Sequence, residues 1–451
     1  MVKKNDYDII IVGAGPAGLF AAYQLVCRKK AKYPKILIIE QGNPIKKRKK
    51  TETLSGMGGA GTFSDGKLHF TPVLSHEKLL DIFSVAEYSK ELNRVDKLFT
   101  DFGAKGKYTP DNLEEAEGLV KFCQQRGVHL YIRKCKHVGS DNLPKVVANI
   151  EKYLMDRGVE MKCNLKVEEV IVNNKSVIGL KVDDGKIYRA DKYLLAPGRV
   201  GASWLQKQAE KIGLTFSYQK VEIGIRVEFP AGIMEDHSKI LHENIYAIQT
   251  PTYDNTIRTF CPCPYGRVAI ENYGDYVSVN GYSNANSGSE NSNFDFTTVV
   301  QLTDPVENTT DYAIGMARMA TIIGGGKPIL QRLGDLRKGR RSTWNRIEKS
   351  YVKPTLTDVT PGDISMALTH RIVTNILEGF EILDRVLPGI NSGSTLLYAP
   401  EIKLRGNRIK INRKLQTDIK NLYVAGDGAG NSGNISGAAV AGILAAKGML
   451  S

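Results

Sequence analysis

No stretch of the 451-residue chain approaches the roughly 20 consecutive apolar residues of a bilayer-spanning helix, which argues against a transmembrane protein. The opening residues, Met1 to Asp6, are polar and run straight into a strand-like segment. They lack the apolar run and small-residue cleavage site of a secretory leader, so the expectation is a cytoplasmic chain. Cysteine is scarce. Cys27, Cys123, Cys135, Cys163, Cys261 and Cys263 are too few for a disulfide framework and fit a reducing compartment. No His/Cys spacing supports four ligands, so no metal is predicted. The depleted hydrophobicity of disordered chains is also missing: 42% hydrophobic with 24% charged residues can bury a core. At this length we expect two domains, or one large domain carrying an insertion.

Acid is in short supply, with 48 Asp and Glu against 62 Lys and Arg and a net charge of +14. Such a balance raises the local concentration of anionic partners, whether a cofactor, an acidic protein, RNA or a lipid surface. The densest run, Lys46-Lys47-Arg48-Lys49-Lys50, reads as a solvated loop. No aromatic residue interleaves with it, and stacking platforms are what single-strand binders add to charge, which argues against a nucleic-acid partner.

What is there begins at the N-terminus. Asp8 to Val12 is a short continuous apolar segment, the pattern of a parallel strand buried on both faces. It leads into Gly13-Ala14-Gly15-Pro16-Ala17-Gly18, after which Leu19, Ala22, Tyr23 and Val26 mark the inner face of a helix. A second apolar strand follows and ends in Glu40, with Gln41 beside it. Strand, glycine loop, helix, strand and acid is the order that dinucleotide binding requires. Gly13 permits the turn, Gly15 lets backbone approach a pyrophosphate, and Gly18 lets helix and strand pack closely. The helix N-terminus beginning at Pro16 and Ala17 offers free N–H groups to phosphates, and Glu40 can accept hydrogen bonds from a ribose diol.

At the other end, Asn421 to Asp427 is a short strand closing in Gly426-Asp427, followed by a glycine-rich turn through Ser436 and Gly437 and an Ala-rich helix. This second strand-to-helix turn resembles the Gly-Asp motif of the glutathione-reductase-like flavoproteins, which carry two dinucleotide-binding domains. The resemblance implies bound FAD, with Asp427 on the ribityl hydroxyls. Between the two ends, Met161 to Val167, Val170 to Val172, Val177 to Val182 and Ile187 to Arg189 read as an antiparallel meander ending in Ala196-Pro197-Gly198. The superfamily's meander closes with a similar turn, Ala196 and Gly198 here, and departs in having Pro197 where threonine is usual. The same resemblance places Val167 against the adenine.

Ser55 to Leu68 has five glycines in fourteen residues, which lets backbone approach a planar or phosphorylated ligand. Its Gly59-Ala60-Gly61-Thr62-Phe63-Ser64-Asp65-Gly66-Lys67 core resembles a stretch of the poorly characterised "FAD-dependent dehydrogenase" family. Similar stretches recur at His137 to Leu143, Gly224 to Glu228, Thr259 to Pro264, Val279 to Gly281 and Tyr398 to Glu401. The resemblance implies an FAD-dependent oxidoreductase acting on an unidentified small molecule.

The fold class expected is α/β: a Rossmann-like FAD-binding domain with a β-meander, plus a mixed α+β substrate domain. Residues 1–215 and 387–451 form the first, with a helical insertion at about 76–125; residues 216–386 form the second. Within it, strands are expected at Val221 to Phe229, Val268 to Tyr273, Tyr276 to Tyr282 and Phe296 to Leu302, helices near Tyr312 to Ile323 and Ser365 to Val386, and an exposed loop from Ser283 to Asn293.

Flavin chemistry asks for placement, electrostatics and exclusion of water more than for particular side chains. Cys261 and Cys263 read as a packed turn near the pocket or as flavin-proximal thiols; a bridge across one residue would be strained. His137 reads as a structural histidine or as a proton-transfer group. No second complete glycine-loop unit occupies the middle of the chain, so NAD(P)H as electron donor would visit the flavin transiently. Two alternatives stay open: an FAD-dependent RNA-modifying enzyme, and a non-catalytic FAD-binding partner that relays electrons with a redox carrier protein.

Overall fold

The computed structural model describes residues 6–27, 33–49, 52–72, 78–300, 307–404 and 407–451. Met1 to Asn5, Lys50, His76, Glu77, Gln301 and Leu302, on which some expectations fall, lie outside them.

The first half is built on a five-stranded parallel sheet. Tyr7–Val12 lies at its centre, with Ile36–Ile39 and then Glu160–Lys162 on one side and Ala190–Leu195 and then Leu422–Val424 on the other. The run Ile-Leu-Ile-Ile can be wholly apolar because all four residues are buried. Helices Pro16–Val26 and Ile435–Leu450 pack together over this sheet. They approach so closely that a Cβ on Gly442 would collide with the Ala17 carbonyl. The first and last described helices are thereby held side by side.

One expectation here is corrected. Met161 does not open the meander: Glu160–Lys162 satisfies the hydrogen-bonding edge of Ile36–Ile39 as a fifth parallel strand. The meander proper is Val167–Asn173, Ser176–Val182 and Ile187–Tyr188. Its short approach strand looks like any other β segment in sequence, and only the empty sheet edge decides where it pairs.

The second half is built on an eight-stranded sheet. In spatial order it runs Thr360–Pro361, Ile329–Arg332, Leu396–Lys403, Val221–Pro230, Asn291–Val300, Thr256–Cys263, Ile245–Gln249 and His129–Tyr131. Leu396–Lys403, which the expected division at 386/387 assigned to the dinucleotide-binding side, is thus a central strand of this sheet. His129–Tyr131 extends the sheet from just beyond the helical insertion, whose helices are Val85–Asp101 and Leu113–Gln124. Asn291 to Asn293 are buried strand residues rather than exposed loop. The two expected helices are Thr309–Ile323 and His370–Leu383, and the short helices Glu235–Ile240, Leu333–Arg337 and Trp344–Glu348 join them.

This sheet's central strands Val221–Pro230 and Asn291–Val300 alternate, and both of their faces are buried. Val221, Ile223, Ile225, Val227 and Phe229 face a core shared with Phe294, Phe296, Phe380 and the two helices. The alternate residues Glu222, Arg226, Glu228, Asn293, Asp295 and Thr297 are fully buried as well. Part of that polar face lies under the hairpin Arg267–Asn272 and Val277–Tyr282. Alternation normally means one face in water; a polar sheet face closed off from solvent marks a site instead.

Candidate functional site

A cavity of about 790 Å³ runs between the two halves. Gly13, Gly15, Pro16, Ala17, Glu40, Gln41, Gly59, Ala60, Gly61, Val167, Ala196, Gly198, Gly426, Asp427 and Cys261 all line it. These positions come from seven separated stretches of chain. Gly18, Thr62, Ser436, Gly437, Cys263 and His137 do not line it.

The glycine loop divides its labour as the spacing predicts. A Cβ on Gly13 would strike the Ala196 carbonyl oxygen, and one on Gly18 would strike that of Gly13. Those two glycines serve the close packing of strand, turn and helix. Gly15 differs: the nearest atom to a Cβ there is 3.9 Å away, so its missing side chain leaves room on the cavity side. The following helix has no side-chain cap at Gly15, so its first N–H groups are available to an anion. Glu40 turns its carboxylate inward, accepting hydrogen bonds from the N–H groups of Ala14, Gly42 and Gly56, each at 2.9 Å. It both lines the cavity and ties the first glycine loop to the second.

The second loop is held by a residue the sequence reading placed in solvent. Lys46, Lys47 and Lys49 are exposed, but Arg48 is only 8% exposed. Its guanidinium donates to the carbonyls of Met57 and Gly59 at 2.8 Å, to Thr62 Oγ1 at 2.9 Å and to the Glu52 carbonyl at 2.6 Å, and lies over the Phe63 ring. Burial pulls its pKa down to about 10, against the pull of Glu40 and Glu52. Thr62 is therefore a strut for the loop, set back from the cavity wall.

At the closing turn, Gly426 takes φ +85° and Asp427 enters the cavity wall, 3.6 Å from the Arg199 guanidinium. The last helix is capped by Asn434, whose Oδ1 accepts the Gly437 N–H at 2.8 Å. Ser436 is fully buried and its Oγ has no protein partner. Gly437 thus serves the cap rather than the wall.

Beyond these elements the cavity meets the polar face of the large sheet. Lys403 contributes its ammonium, 2.5 Å from Asp295, 3.0 Å from Glu401 and 4.0 Å from the Cys261 thiol. Asp295 is shared with the buried Arg226. Burial would protonate Asp295, yet Arg226 and Lys403 hold its pKa below the usual aspartate value; burial and then Asp295 push Glu401 well above the usual glutamate value. Glu271, hydrogen-bonded by Asn280 at 2.7 Å and by Tyr273 at 3.1 Å, completes this wall.

A second buried group stands across from it. Lys67, fully buried, is paired with Glu243 and with Asp65 at 2.9 Å, and donates to the Pro262 carbonyl at 2.8 Å. Burial alone would discharge it, but the two carboxylates hold its pKa well above the ordinary lysine value. His69 and Arg133 line the cavity beside it.

The expected catalytic candidates fare unequally. Cys261 lines the cavity at a bulge in its strand, with φ +45°, an uncommon conformation that turns the residue out of the ladder. Burial raises its pKa, with Lys403 opposing, so the group is a thiol at neutral pH. Cys263 points away, its sulfur 3.2 Å from Arg226, and burial raises its pKa to about 11. His137 stacks on His242 with ring centroids 4.3 Å apart, and burial lowers its pKa. It stands behind the wall. The sequence reading missed Arg48, Lys67, His69, Arg133, Glu243, Glu271 and Lys403. The signal available was the charged half of the alternating strands and the Lys67-x-His69 pair ending the glycine segment. Among the described residues no cluster of His, Cys, Asp or Glu could hold a metal ion, and no helix is long and apolar enough to cross a membrane.

An open Gly15, an uncapped helix start, a carboxylate at each end of the wall and a meander residue at Val167 provide space, anion donors and diol acceptors in one continuous surface. Residues 220–404 match the family described as "FAD-dependent protein, C-terminal domain-like". An uncharacterized protein from Clostridium beijerinckii is 26% identical over 493 aligned positions, covering 99% of this chain and 82% of its own length. Among solved structures, glycine oxidase from Geobacillus kaustophilus is 13% identical, with 98% of this chain and 94% of that one covered and a TM-score of 0.42. L-proline dehydrogenase from P. horikoshii is 12% identical, with 98% and 93% covered and a TM-score of 0.45. The stretch that matches the FAD-dependent family is the one that supplies the large sheet's central strands and the wall residues Cys261, Glu271, Asn280 and Lys403.

Proposed function

We propose that the chain is an FAD-dependent oxidoreductase acting on a small organic molecule. The observation that carries this reading is the single cavity that joins the Gly13 to Gly18 loop, Glu40, Val167, Ala196 to Gly198 and Asp427 to the buried polar face of the large sheet. In this reading the helix start at Pro16 and the second glycine loop hold the pyrophosphate, Glu40 the adenosine ribose, Val167 the adenine and Asp427 the ribityl chain. Bound flavin supplies two-electron exchange with the substrate. The chain's own contribution is to exclude water with the hairpin Arg267–Asn272 and Val277–Tyr282. Lys403, Glu271 and Asn280 orient the substrate's polar groups, and the Cys261 thiol and neutral His69 stand within the same cavity as proton-handling groups. The parallel sheet carries one glycine-loop unit, so the proposal includes NAD(P)H only as a visiting donor and keeps a redox carrier protein as the other route for electrons.

The test is purification of the full chain followed by visible absorbance and FAD titration of the stripped protein. The expected outcome is stoichiometric flavin with a resolvable spectrum, and at least about tenfold weaker FAD binding in Asp427→Ala, as for loss of a charge-assisted hydrogen bond. Colourless protein that refuses FAD, or unchanged affinity in the variant, overturns the reading. Anaerobic reduction by NADH, NADPH and a metabolite panel then identifies donor and substrate.

A further inference from the structure

We infer that the surface formed by residues 332–353 binds single-stranded nucleic acid. The segment carries eight basic residues, Arg332, Arg337, Lys338, Arg340, Arg341, Arg346, Lys349 and Lys353, against two acids, Asp335 and Glu348. Asp335 is committed to Arg340 at 2.8 Å and to Arg332. Among the described residues no carboxylate lies within ion-pair distance of Arg337, Lys338, Arg341, Arg346, Lys349 or Lys353. That leaves six cations on one short stretch without a counter-charge.

Two aromatic side chains stand among them in solvent. Tyr351 is 85% exposed, the most of any large apolar residue described, and Trp344 is 41% exposed. Their ring faces are the element that the Lys46 to Lys50 run lacks. A compact acidic protein needs the charge but not bare rings. A nucleic-acid single strand needs both, phosphates for the cations and bases for the rings. Three of the six are arginines, whose guanidinium groups suit fork-like phosphate contacts.

The surface is also pre-built. Ile347 and Val352 are buried against Leu330, Leu396 and Tyr398. Ser342 is tied to Gly362 and Asp335, while Arg346 donates to the Arg341 carbonyl at 2.7 Å and Arg332 to that of Arg346 at 3.1 Å. Binding would cost little ordering entropy, since the backbone that presents the cations is already fixed. No residue from 332 to 353 lines the cavity, so the site is separate from the flavin reading and stands or falls without it. It packs behind the hairpin strand Arg267–Asn272, whose Val268 N–H bonds Thr355 Oγ1 at 3.1 Å.

The test uses the full-length protein as purified with short fluorescein-labelled oligouridylate and oligothymidylate, read by anisotropy and by quenching of Trp344 emission in a Trp204→Phe background. Binding is expected at about 50 mM salt and should weaken steeply by about 200 mM, because each neutralised phosphate contributes roughly −0.7 to the slope of log K against log salt. Lys338→Glu/Arg341→Glu/Lys349→Glu should lower affinity at least about tenfold and flatten the salt slope. Trp344→Ala/Tyr351→Ala should lower affinity by about tenfold and leave the slope unchanged. All five positions are exposed, so an unaltered circular-dichroism spectrum and unfolding transition confirm that the variants fold. Absent binding at the lower salt, unquenched Trp344, or binding of anionic vesicles, heparin or an acidic protein that equals the oligonucleotides and ignores the aromatic variant would overturn the inference.

Discussion

Arg48 shows how much one buried side chain can organise. Four donated hydrogen bonds at 2.6 to 2.9 Å gather the carbonyls of the second glycine loop around a single guanidinium. Replacing it with methionine keeps the stem but leaves those acceptors buried and unpaired, at a cost of about 3 kcal/mol. Arg48→Met should therefore lower the urea midpoint and weaken FAD binding together, while Arg48→Lys, a point charge without the fork, recovers only part of both. An unchanged flavin affinity in Arg48→Met would remove its role in shaping the cofactor loop. The three neighbouring histidines make a pH prediction. Burial, helped by Arg133 and Lys67 for His69, by Lys67 for His137 and by His137 and Lys67 for His242, lowers all three pKa values. The folded state then binds fewer protons than the unfolded chain below the ordinary histidine value of 6.5. Stability should be intact at pH 7 and fall as pH drops through 6.5, by up to about 1.4 kcal/mol per pH unit for each excluded proton. His137→Gln/His242→Gln should flatten that fall in urea unfolding measured from pH 7 to pH 5; an identical slope would mean that other groups carry it.

At the scale of elements, the first glycine loop separates packing from binding. Gly18→Ala puts a methyl into the Gly13 carbonyl and should lower thermal stability outright, whereas Gly15→Ala meets nothing closer than 3.9 Å and should fold normally yet lose flavin affinity. Matched melting curves of the two apoproteins, or unimpaired FAD binding by Gly15→Ala, would contradict that division. The loop, the strands around it and the Gly426-Asp427 turn were legible in sequence because they are local: a continuous apolar strand, glycines at fixed spacing and an acid describe themselves within about thirty residues. What stayed illegible is pairing over long separations. Glu160–Lys162 and Leu396–Lys403 reveal their sheets only through neighbours far away in the chain. The inner wall was hidden for the same reason. Glu222, Arg226, Asp295 and Lys403 look like the wet side of alternating strands, and Arg48 looks like one of five solvated cations, until a covering hairpin or a folded-back loop removes the water.

At the scale of the whole molecule, the cavity is the joint between the two sheets. Its nucleotide wall comes from Gly13, Glu40 and Asp427, its inner wall from Cys261, Glu271 and Lys403, and neither half encloses it alone. Without ligand, two such halves need not unfold together, since interfaces between domains within one chain are as a rule modest. A cofactor that touches both adds a stabilising term common to both, about 2.7 kcal/mol at a hundredfold excess over the dissociation constant. The chain carries its own reporters for this. Of its two tryptophans, Trp204 lies in the helix Ala202–Ile212 beside the parallel sheet, and Trp344 lies on the far side of the large sheet's hairpin. In Trp344→Phe and Trp204→Phe, each with one emitter left, the apoprotein should give two separated urea midpoints. Saturating FAD should raise both and bring them together. If FAD moves the Trp204 transition and leaves that of Trp344 where it was, the flavin is bound by the first half alone, and the polar face of the large sheet is not its partner.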